Sequence, residues 1–133
     1  MREQLSEEDR FAIVQYRLNC SNRALAEADY NADGGYYYAA VNRLYYTCYY
    51  AVSALLLSYG INAQTHAGAR TQLALHFVKD GKLGRNCLYT YQQLFDARQS
   101  GDYEDFVICD EEMFSSFRPA VDEFLVAVKE LIR

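Results

Sequence analysis

Tryptophan is absent from this 133-residue chain, and proline occurs once, at Pro119. So little proline leaves long stretches in which nothing interrupts a helix. Long apolar runs are also missing. Runs such as Ala54 to Leu57 with its flanks are far too short to cross a bilayer. The segment from Met1 to Arg10 is polar and charged, without the apolar core of a signal peptide. Paired cysteines are lacking too: Cys20, Cys48, Cys87 and Cys109 form no CxxC, and no histidine stands at zinc-ligand spacing from them. They are expected to be four buried, reduced thiols in a reducing, cytoplasmic compartment. There is no basic excess, since 13 Lys and Arg face 18 Asp and Glu for a net charge of −5. That excludes a broad basic face for nucleic acid, but leaves room for a small local site for RNA or a nucleotide. No glycine-rich phosphate loop, GxSxG or HExxH is present, and nothing calls for a metal or cofactor.

What is present points to helices. Hydrophobic residues make up 51% and charged residues 23%, which suits one globular domain spanning residues 1–133. Five helices are predicted. The first runs from Glu7 to Tyr30 behind a Ser6/Asp9 capping pair, with Phe11, Val14, Leu18 and Leu25 at helical spacing. The second runs from Tyr36 to Tyr59 on the stripe Tyr37, Val41, Leu44, Cys48, Val52, Leu55, with Gly60 ending it. A loop, Ile61 to Gly68, carries His66. The third helix spans Ala69 to Lys79, with Leu73, His76 and Phe77 on one side. The fourth, Arg85 to Gln99, carries Leu88, Tyr91, Phe95 and Arg98 on one stripe and is broken by Ser100-Gly101-Asp102. The fifth starts after Asp110 and repeats Phe114, Phe117, Val121, Phe124, Val128, Leu131, with Pro119 expected to kink or split it. The short connections favour an all-α, up-and-down bundle of four to five antiparallel helices.

Three places carry potential chemistry. Arg98 falls on an apolar stripe, where a guanidinium needs a carboxylate, a phosphate or an aromatic face. It either closes the helix end on Asp102, Asp105 or another carboxylate, or it binds phosphate. Arg43 shares a helical face with Tyr46 and Tyr50, and either stacks on tyrosines or contributes to a site. His66 is either a capping, hydrogen-bonding residue or a proton-transfer group. Tyrosine is concentrated around the second of these places: eight of the 13 lie between Tyr30 and Tyr50.

Ala40-Val41-Asn42-Arg43-Leu44-Tyr45-Tyr46, then Thr65-His66-Ala67-Gly68, then Arg98-Gln99-Ser100-Gly101-Asp102-Tyr103 resemble, in order and spacing, the HEPN domains (higher eukaryote and prokaryote nucleotide-binding). The resemblance covers about Tyr36 to Leu131. It implies a helical bundle, usually dimeric. Many such domains are metal-independent RNases, while others only bind, and many stand beside a minimal nucleotidyltransferase in a toxin–antitoxin pair. The family's RNase motif is an Arg, a polar residue, and a His four to six positions after the Arg. Arg98 and Gln99 match the first two, and Tyr103 stands in the His position. A phenol titrating near 10 is a poor base for a ribose hydroxyl at neutral pH. The resemblance therefore favours an RNA-, nucleotide- or nucleotidyltransferase-binding homodimer with little RNase activity. In it Arg98, Gln99, Arg43 and His66 would contact phosphate or nucleotide. The alternatives are an endoribonuclease toxin using Arg98, Asp102 and Tyr103, and a purely structural interaction module.

Overall fold

The computed structural model describes residues 5–103 and 109–133. Five helices follow one another: α1 (Glu7–Asp33), α2 (Tyr37–Ser58), α3 (His66–Leu73), α4 (Arg85–Tyr103) and α5 (Glu111–Leu131). A π turn over Ala74–Val78 extends α3. No strand occurs among the described residues, and the fold is the all-α bundle that the spacing predicts.

Local chemistry sets the helix ends. Ser6 Oγ accepts from the Asp9 backbone N–H at 3.0 Å, and Asp110 Oδ1 accepts from that of Met113 at 2.9 Å. Helix α2 stops because Gly60 takes φ +71°. That lets the Gly60 N–H reach the Leu57 carbonyl and the Ile61 N–H reach that of Leu56, both at 2.9 Å.

Helix α2 is the centre of the bundle and packs against α1, α3, α4 and α5. Its stripe of Val41, Leu44, Cys48, Val52 and Leu55 is buried, together with Leu73, Tyr91, Leu94, Phe124 and Val128 from the surrounding helices. Small residues such as Ala24, Ala28 and Ala40 line the α1–α2 contact, and Ser21 Oγ donates to the Thr47 carbonyl at 2.7 Å. Arg118 of α5 grips Asp29 of α1 with two hydrogen bonds, at 2.8 and 3.0 Å.

Several expectations need correction. His66 is not in a loop but is the first residue of α3. His76 is exposed, because the π turn inserts a residue and re-aims those around the buried Phe77. Ser100-Gly101-Asp102 does not end α4, which continues to Tyr103. Extending a formed helix needs no new nucleus, and one glycine costs only about 1 kcal/mol. Pro119 does not split α5. It and Ser115, whose carbonyl loses a donor, are both exposed, so water can take that donor's place. Phe117 is half-buried, at the edge of the core rather than within it. Only Cys48 and Cys87 are buried, while Cys20 and Cys109 are partly exposed. Asp105 lies outside the described residues.

Candidate functional site

The Tyr-rich stretch of α2 turns two adjacent rings in different directions. Tyr45 is fully buried, whereas Tyr46, Tyr49 and Tyr50 are half-buried. Tyr45 meets Tyr91 and Phe95 of α4 edge to face, each at 5.9 Å between centroids.

Helix α3 begins against this cluster. Thr65 Oγ1 caps it by accepting from the Gly68 N–H at 2.8 Å. A Cβ at residue 68 would come within 2.9 Å of that oxygen, so the Thr-His-Ala-Gly sequence lets the cap close tightly. The cap sets His66 stacked on Tyr49, with centroids 4.1 Å apart, and edge-on to Tyr46 at 5.8 Å. His66 Nδ1 lies 2.6 Å from the Tyr45 hydroxyl.

Arg98 arrives from α4. Its guanidinium carbon lies 5.4 Å from the Tyr45 ring centroid and 5.5 Å from that of Tyr46. Its Nε is buried without a hydrogen-bond partner, and it forms no ion pair among the described residues. Arg43 stacks on Tyr46 at 4.7 Å and pairs with Glu27 of α1 at 3.5 Å. Tyr46 therefore meets two cations, of which Arg43 is held by a carboxylate and Arg98 has none among the described residues.

These contacts set the protonation states. Burial and the nearby Arg98 charge lower the His66 pKa from its ordinary 6.5, which makes the ring neutral at neutral pH. Burial pushes the Tyr45 phenol up to about 12, so it keeps its proton. A protonated phenol beside a neutral imidazole is the better donor and the imidazole nitrogen the better acceptor. Tyr45 thus donates to Nδ1, which leaves the hydrogen on Nε2. The site offers Arg98 and a neutral Nε2–H, both suited to an anionic oxygen.

Of the residues singled out in sequence, Arg98, His66 and Arg43 converge around Tyr46. Gln99, Asp102 and Tyr103 lie on the last turns of α4, but their side chains fall outside the described residues. Tyr45 and Tyr49, which fix the His66 ring, were not anticipated. Their i, i+4 spacing placed them together, but nothing in that spacing pointed to the histidine.

The HEPN domain family model matches residues 14–131. The chain belongs to the HEPN family. Among its relatives is a UPF0332 protein of Thermotoga maritima, 32% identical over 90% of this chain and 91% of its own length. A Methanocaldococcus jannaschii protein named Putative toxin MJ0605 is 27% identical over the same shares. Another from that organism, Putative toxin MJ0142, is 35% identical over 56% of this chain and 50% of its own. The three-part Arg43/His66/Arg98 constellation lies within the HEPN match. No helix among the described residues is long and apolar enough to cross a membrane.

Proposed function

We propose that this HEPN protein is a toxin-type RNA-binding protein that holds a backbone phosphate between Arg98 and His66. One observation carries the reading. The Arg98 guanidinium is partly desolvated on an aromatic bed, with a buried Nε that has no partner and no carboxylate pairing it among the described residues. A cation in that state gains most from an anion with several oxygens. His66 Nε2–H adds a neutral donor, and Gln99 follows Arg98 in the chain. The names of the Methanocaldococcus relatives support the toxin half of the reading. The protein acts as a homodimer with Arg98 and Tyr103 near the two-fold axis, and a minimal nucleotidyltransferase is its partner.

The reading is tested by fluorescence anisotropy with labelled single-stranded RNA in metal-free buffer. Hydrogen bonds to charged groups contribute about 1.5–3 kcal/mol, so Arg98→Ala should weaken binding about tenfold or more. Equal affinity of wild type and Arg98→Ala would overturn the proposal.

The second reading is endoribonuclease activity, and the neutral His66 beside Arg98 favours it. Arg98 would steady the charge on the phosphorane-like transition state, while His66, Asp102 or Tyr103 moved protons. The Tyr45 hydrogen bond opposes it, because it leaves Nε2 protonated and unable to act as the base.

A further inference from the structure

Helix α3 leads away from His66 with a distinctive register. Arg70 lies four residues on, and Ala74 four beyond that, so the three share one face of the helix. An ordinary α-helix would continue this row to residue 78. The π turn instead bonds the Lys79 N–H to the Ala74 carbonyl at 2.9 Å, an i to i+5 step. The extra residue brings Lys79 into line with Ala74. Arg70, Thr71, Ala74, Leu75, Lys79 and Gln92 of α4 accordingly line one open groove of about 400 Å³.

Two buried rings, Phe95 and Tyr45, separate the groove from the Arg98 guanidinium. The Arg70 guanidinium sits 4.5 Å from the centre of the Phe95 ring, and Phe95 in turn abuts Tyr45 edge to face. Neither Arg70 nor Lys79 forms an ion pair among the described residues. Asp80 adjoins Lys79 in the chain and Asp96 follows Phe95 on α4, and both are exposed. In a chain of net charge −5, two cations on one groove with no ion pair among the described residues are a local exception. Leu75, 47% exposed, adds an apolar surface beside it.

We infer that this groove is a track for single-stranded RNA. Phosphates downstream of the one on Arg98 lie along α3, on Arg70 and Lys79, and Leu75 and Gln92 contact the nucleotides between them. The inference rests on the RNA-binding reading of the Arg98 site and adds the path of the strand and its length. An acidic protein segment is the competing occupant. The row favours RNA because its cations are spaced at helical turns from the site itself, as a repeating backbone charge requires.

The experiment measures salt-dependent binding of a dinucleotide and of a 12-nucleotide single-stranded RNA to the whole chain. Wild type is compared with Lys79→Gln and with Arg70→Gln/Lys79→Gln, each checked for an unchanged circular dichroism spectrum. Lys79 is exposed, so its single variant keeps the test valid should the Arg70 change disturb packing on Phe95. The expected result is a loss of about tenfold for the 12-mer in the double variant and a smaller loss in the single one. The slope of log affinity against log salt should flatten by about 0.7 per contact removed. Dinucleotide binding should be unaffected. If the 12-mer binds through Arg98 with the same affinity and slope in all variants, the track is refuted and the site reading stands. Unchanged RNA affinity with lost poly-glutamate binding would assign the groove to an acidic protein segment and refute the track. If wild type binds neither RNA, the site reading itself fails.

Discussion

The Tyr45 hydroxyl lies 2.6 Å from His66 Nδ1, which ties the buried centre of α2 to the first residue of α3. In a catalytic triad a carboxylate accepts from Nδ1–H and frees the other nitrogen as a base. Here a phenol donates, and the polarity is reversed. Tyr45→Phe should release the ring and weaken RNA binding several-fold, while a larger loss follows Arg98→Ala. Nitrogen NMR of the His66 ring should report the Nε2–H tautomer in wild type. Observation of the Nδ1–H form would invert the assignment of roles.

The lowered His66 pKa has a definite pH consequence. Below 6.5 the unfolded chain takes up a proton at this residue more readily than the folded one. Stability from His66 is therefore present above 6.5 and is lost as pH falls from 6.5 through the folded pKa. RNA affinity should move oppositely, rising as His66 becomes cationic. Arg98→Ala removes a repelling charge and should raise the midpoint. A histidine titration above 6.5 in wild type would contradict this.

Phe124 is fully buried and packs near Tyr91, with ring centroids 5.9 Å apart. Phe124→Ala should cost about 3–5 kcal/mol by denaturant unfolding, the range for truncating a core Phe. The half-buried Phe117 should cost clearly less in the same measurement. Equal losses would mean that both reach the core.

The thiols should label in two groups. Cys48 is fully buried, and burial pushes its thiol well above the ordinary range, with Cys87 raised for the same reason. Thiolate is the reactive form, so both should resist a thiol reagent in the native protein. Cys20 and Cys109, partly exposed, should react before them, Cys109 the more slowly because burial and the neighbouring Asp110 raise its thiol as well. Simultaneous reaction of all four would indicate opening of the bundle on the labelling timescale.

The bundle was readable in sequence because α2 and α5 repeat their apolar residues at intervals that burial confirms at Leu44, Cys48, Phe124 and Val128. Arg98 was readable as well, since a charge on an apolar stripe demands a partner. The π turn was not, because an i to i+5 bond requires no special residue type. The position of His66 was missed although Thr65 is a good cap, since no acidic residue follows at the usual place to mark a helix start. Its bond to Tyr45 joins residues 21 apart, and no local pattern encodes such a contact.

Cleavage is the sharpest question. Tyr103 occupies the place where the resemblance puts the RNase histidine, and the Tyr45 bond leaves His66 Nε2 protonated. Arg98 can stabilise charge but cannot accept a proton. Loss of a positioned general base lowers a rate by about 10²–10⁴-fold, so the isolated protein should cleave RNA poorly under metal-free conditions. Tyr103→His should restore a base one helical turn or so from Arg98, because α4 continues unbroken through both positions. That variant should cleave faster than wild type, and Arg98→Ala combined with it should be inactive. A time course with these proteins decides the matter. Rapid wild-type cleavage that Arg98→Ala abolishes would show that another group serves as the base. His66→Gln would then reveal whether it is the histidine of α3, working through its other tautomer.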